Sequence, residues 1–114
     1  MGDRALIQFT DGTKFGPVTY LHSSGYRVAE LLKKAAPMMR KGDLDYATAR
    51  FIGVCHQEID PPRGLAVWSE SEELTDSHGD AGSFVVNIST GKIEAFGGYG
   101  LNESKALNLN FSDE

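Results

Sequence analysis

The sequence predicts an α+β domain: an antiparallel sheet of about five strands with two helices on one face, in the order ββααβββ. Three observations carry this. Period-two alternation opens the chain, two stretches of helical apolar spacing fill its middle, and a strong hairpin pattern lies near residue 90. The 114 residues suffice for one domain with one core, placed at 1–100, with 101–114 as a tail or an edge strand.

Each element has its own signal. "RALIQF" (4–9) alternates apolar and polar side chains and runs into an Asp-Gly turn at residues 11 and 12. A second strand, "VTYLH" (18–22), follows Pro17, where a missing N–H harms no interior ladder. Ser23 or Ser24 can cap the first helix, whose apolar face is Val28, Leu31, Leu32, Ala35, Met38 and Met39. Pro37 falls inside that pattern, so the helix kinks there or stops near Ala35 and restarts as a short turn, with Gly42 closing it. Asp43 is a good cap for the second helix, which carries Leu44, Ala47, Phe51, Val54 and Cys55 on one stripe.

"DPPRG" (60–64) must end that helix, and "LAVWS" (65–69) reads as a short strand. The stretch 69–82 holds five acids and no Lys or Arg, which predicts an exposed connection. "SFVVNI" (83–88) and "KIEAF" (92–96) flank "STG" as a hairpin. Beyond it, Leu107, Leu109 and Phe111 alternate in a glycine- and asparagine-rich stretch, an edge strand or a partner-docking tail.

Composition narrows the function classes. Hydrophobic residues are 40% and charged residues 24%, so the chain can fold without a disulfide scaffold, and its single cysteine agrees with a reducing compartment. No apolar run approaches membrane-spanning length and no secretion signal opens the chain, so the expected location is cytoplasmic. Leu6 replaces the Ser or Thr that a myristoylation motif requires after Met-Gly. The net charge of −5 disfavours direct nucleic-acid binding. Residues 27–50 run against that balance, with six basic residues to three acids. This polarity makes Arg27, Lys33, Lys34, Arg40 and Lys41 candidates for docking a protein partner, alongside the plainer reading of a solvated helix face.

Several stretches resemble, in order, a family of small uncharacterised proteins of bacteriophage and prophage genomes. They are "MGDRALIQF", "TYLHSSGYRVAELLKKA", "YATARFIG" and "FVVNISTGKIEAF", spanning roughly residues 1–96. Ser23-Ser24-Gly25 stands where such proteins often carry a tryptophan beside glycine. The resemblance implies a mobile-element setting in a bacterial host and a fold, and no particular reaction. It raises the expectation of a non-catalytic accessory protein that binds a host protein, for instance an anti-CRISPR-like or other anti-defence inhibitor.

The chemical candidates are few. Zinc would have to enlist Cys55, His22, His56 and His78 together, since no closely spaced ligand pair is present, so no metal or other cofactor is expected. Cys55 could act as a nucleophile with His22 or His78 in a small hydrolase, but it falls on the apolar stripe, where burial blunts a thiol, while His56 turns toward the stripe's edge. "SHGDAG" (77–82) offers His78 and Asp80 as an inward-facing pair, or as a plain strand-entry turn in which Asp80 binds backbone N–H groups. With Arg4, His22 and Tyr26 these form a candidate site for a small nucleotide ligand, the alternative to protein docking. Asp3 and Arg4 are expected to pair at the sheet edge. "GGYG" (97–100) lacks the Lys-Ser/Thr and the helix of a phosphate loop. A homodimer formed through the C-terminal segment is a further expectation.

Overall fold

A computed structural model describes residues 4–22, 25–59, 65–68 and 80–96. Its elements are β1 (Ala5–Thr10), β2 (Phe15–Leu21), α1 (Val28–Ala35), α2 (Leu44–Glu58), β3 (Leu65–Trp68), β4 (Gly82–Asn87) and β5 (Ile93–Phe96), in the predicted α+β order. The strands form one sheet ordered β3-β2-β1-β4-β5. Its character corrects one expectation. Three ladders are antiparallel, but the central pair β1 and β4 is parallel, in register from Ala5 opposite Gly82 to Thr10 opposite Asn87, so the sheet is mixed. The reason lies in the long connection between them. After β2 the chain passes through both helices and β3, and it returns to the free side of β1 running in β1's own direction.

The two turns at one end of this sheet are built by side chains. Asp11 Oδ1 accepts hydrogen bonds from the N–H groups of Thr13 (2.8 Å) and Lys14 (2.7 Å), and Gly12 supplies the positive φ of 99°. Asn87 plays the same part in the β4–β5 hairpin, accepting from Ser89 and Thr90. Strand β2 begins three residues earlier than its sequence signal. The register with β1 slips between Gln8 and Thr10, so Gly16 and Pro17 bulge opposite Phe9, and β3 pairs only from Val18 onward. Pro17 therefore removes no bond from the β2–β3 ladder. Gln8, fully buried, holds the bulge by donating from Nε2 to the Gly16 carbonyl at 3.0 Å.

Helix α1 stops at Ala35, and Pro37 sits in the single 3-10 turn that follows (Ala36–Met38). Gly42, at φ 79°, turns the chain and donates to the Ile88 carbonyl. Asp43 then caps α2 through the Tyr46 N–H. Ser23 and Ser24, the expected caps of α1, lie outside the described residues. Ala5, Ile7 and Phe9 of β1, with Leu21, Phe84 and Val86, form the main core against Leu31, Leu32, Phe51, Val54 and Cys55 of the helices. Both helices thus cover one face of the sheet.

Candidate functional site

Basic side chains gather where α2 begins. Arg40, in the loop before α2, and Arg50, one turn after Tyr46, both place their guanidinium groups over the Tyr46 ring, at 4.5 and 4.7 Å from its centroid. Tyr46 and Arg50 are four residues apart and share a helix face, while the turn at Gly42 brings Arg40 back to meet them. Stacking of this kind contributes about 0.5–1 kcal/mol at an exposed site. It also restrains two long side chains that remain exposed to solvent. Arg40, Lys41 and Arg50 are all exposed. Beside them a hollow of about 420 Å³ is lined by Lys14, Arg40 and Lys41 together with Asp11, Asp43 and Asp45. Two of these carboxylates already bind backbone N–H groups, Asp11 in its turn and Asp43 at the helix cap. The Asp11 carboxyl consequently lies below its usual range, through the N–H groups of Lys14 and Thr13.

The other predicted docking residues divide. Lys33 is exposed. Arg27 and Lys34 instead tie α1 to the last turn of α2. Arg27 donates from Nη1 to the Glu58 carbonyl at 2.7 Å and pairs with Glu30 and Glu58, and Lys34 Nζ lies 2.8 Å from Glu58 Oε1. A helix leaves its last carbonyls unsatisfied, and here one of them takes a guanidinium. Hydrogen bonding from Lys34, followed by Arg27, holds the Glu58 carboxyl below its ordinary value. Charge counted along the sequence therefore overstates the free positive charge of α1.

The predicted ligand residues Arg4, His22 and Asp80 meet at one end of the sheet. Asp80 Oδ2 accepts from the Arg4 backbone N–H (3.0 Å) and from Arg4 Nε (2.9 Å), and Ala81 N–H donates to the Arg4 carbonyl. Arg4 thus pairs with Asp80 across the parallel ladder; the expected partner, Asp3, lies outside the described residues. Asp80 has φ 53°, a left-handed conformation that aspartate tolerates better than most residues. The two Arg4 hydrogen bonds hold its carboxyl below the usual range, with a smaller electrostatic contribution from His22. Tyr20 joins through its hydroxyl, 2.8 Å from His22 Nδ1. Tyr26 is 63% exposed in the turn ahead of α1. His78 lies outside the described residues.

Because the folded Asp80 carboxyl is depressed, its contribution to stability is complete above the ordinary aspartate value of about 3.8 and is lost as pH falls through the lower folded value. Asp80→Asn should therefore melt below wild type at pH 7, and the difference in Tm should close in acid. A difference that persisted unchanged at pH 2 would show that the carboxylate charge is not the stabilising feature.

Cys55 is fully buried in the α2 stripe, and burial pushes its thiol up to about 12. A thiol so far from ionisation supplies no thiolate at neutral pH, which removes Cys55 as a nucleophile. His56, its neighbour, is exposed. No three of the described His, Cys, Asp and Glu side chains come together as a metal site, and no helix among the described residues is long and apolar enough to cross a membrane. The sequence reading missed Tyr46, and counted Arg50 among the basic residues of 27–50 without making it a candidate. Their signal was present as the i, i+4 spacing of an aromatic and a cation on a helix whose cap was already legible.

Compared with known proteins, the chain matches no family model, no curated protein and no solved structure.

Proposed function

We propose that the chain is a non-catalytic binding protein, an accessory protein of the phage or prophage kind implied by its sequence resemblance, that docks on a host protein and blocks it, as an anti-defence inhibitor would. The observation that supports this is the Arg40–Tyr46–Arg50 stack beside Lys41 and Lys14. Guanidinium groups held by an aromatic ring present planar, paired donors that suit carboxylates, so the partner surface is acidic. The overall charge of −5 sets the patch against an otherwise negative molecule, which orients an approaching partner and repels nucleic acid.

Wild type should capture a host protein from a bacterial lysate in a salt-sensitive way. Arg40→Glu/Arg50→Glu should bind that same purified protein at least about tenfold more weakly with an unchanged melting profile. Reversal of acidic residues on the partner should restore binding to the double variant. Equal binding by wild type and the double variant would overturn the reading. The alternative, capture of a small nucleotide, draws on the meeting of Arg4, His22 and Asp80, but Asp80 already engages the Arg4 guanidinium that would receive a phosphate.

A further inference from the structure

Lys92, just ahead of β5, and Glu94, within it, carry opposite charges two residues apart and do not pair with each other. In an extended chain that spacing puts both side chains on one side, with their bases about 7 Å apart. The side is the helix-free face of the sheet, because Glu94 lies opposite Val85, which clusters with Leu6 and Val18 and not with the helices. Both side chains are exposed, and neither forms an ion pair among the described residues. Between them and Phe15 of β2 lies a hollow of about 190 Å³, with Val85 and Asn87 of β4 also in its lining. The β1–β2 turn separates this hollow from the one beside Arg40, so the two are distinct sites. Pockets for drug-sized ligands run to about 300–1,000 Å³, so this one suits a smaller molecule than a nucleotide.

The polar groups of the hollow divide into those already engaged and those left over. The Thr10 hydroxyl donates to the Lys14 carbonyl and accepts from the Gly12 N–H, so it is occupied by its own turn. Asn87 Oδ1 accepts from the N–H groups of Ser89 and Thr90, which leaves the two Nδ2 donors of that amide for the hollow. Asn87 and Lys92 face each other across the β4–β5 ladder, where the Asn87 N–H donates to the Lys92 carbonyl at 2.8 Å. The open groups are therefore an ammonium beside an amide donor, a carboxylate one step further along β5, and an apolar surface made by Phe15 and Val85. Their charges cancel, so neither a simple anion nor a simple cation matches the set; a phosphate seated on Lys92 would face Glu94. A zwitterion with an apolar arm matches all three parts. We propose that this hollow binds a small apolar α-amino acid. Its carboxylate sits between Lys92 Nζ and Asn87 Nδ2, its ammonium meets Glu94, and its side chain lies over Val85 toward Phe15. The long side chains of Lys92 and Glu94 bend toward one another to reach two charged groups that share a single carbon.

Nitrogen-15 NMR of the full-length chain, titrated with L-leucine and with L-phenylalanine, tests this directly. Saturable shifts are expected at the Asn87 side-chain amide and at the backbone amides of Gly12, Lys92 and Glu94, with a Kd of about 1 mM or below for the better probe. Lys92→Gln and Glu94→Gln alter exposed side chains and should leave the melting profile unchanged. Each should weaken binding of that probe by about fivefold or more. The N-acetyl derivative of the same amino acid has no ammonium, so it should bind wild type about fivefold or more weakly than the free amino acid, a comparison that needs no variant. No saturable shift below about 10 mM with either probe would overturn the proposal. So would shifts centred away from the hollow, affinity unchanged in either variant, or equal binding of the free and acetylated forms.

Discussion

Phe51→Ala should lower the unfolding free energy by about 3–5 kcal/mol, read as a fall in the urea midpoint at constant slope. Phe51 is fully buried on α2 and meets Phe9 of β1 edge to face, with ring centroids 5.3 Å apart and planes at 65°. Truncation removes the apolar transfer energy of the ring, leaves a cavity between helix and sheet, and deletes the favourable quadrupolar contact with Phe9. Domains of this size are stable by only about 5–15 kcal/mol, so the loss is a large fraction of the whole. Phe51→Leu keeps most of the volume and should cost markedly less. A loss below about 1 kcal/mol for the alanine variant would mean that the helix layer does not rest on this contact.

The same helix shows why much of the fold was legible. An Asp at the cap, apolar residues at three- and four-residue intervals and a proline-rich stop all act locally, so they determine α2 wherever it packs. Pro37 is equally local, and it ends α1 at Ala35 as its missing N–H requires. The parallel pairing of β1 with β4 is a different matter. It joins residues more than 70 positions apart, and no turn chemistry specifies it. A trace existed in the composition of these strands. "SFVV" and "ALIQF" are apolar beyond simple alternation, as befits central strands buried on both faces, and only the antiparallel hairpins beside them carry turn signals.

Charge was less legible than hydrophobicity for a related reason. Arg27 and Lys34 look free when counted along the chain, yet both converge on Glu58, reached only because α2 folds back along α1. Arg40 could be read as exposed from its loop, but its partner Tyr46 becomes visible only once Gly42 turns the chain. Arg4 and Asp80 were both singled out as candidate ligand residues, but their pairing with each other, in place of Arg4 with Asp3, depends on the same long-range ladder.

Leu6→Ala tests how much the helix-free face of the sheet contributes to stability. On a wetted face the change would cost little, since an exposed leucine has little transfer energy to lose. Leu6 is 1% exposed, and it touches Val18 and Val85 in a cluster separate from the helix-facing core. We therefore expect a loss of about 2–5 kcal/mol, in the range of truncations inside an ordinary core. Urea unfolding of this variant beside Phe51→Ala measures the two faces on one scale. Comparable losses would show that both faces of the central strands β1 and β4 contribute packing energy on the same scale. A loss under about 1 kcal/mol would mean that the helix-free face contributes little to stability, and that the energy of the fold resides almost wholly between the helices and the sheet.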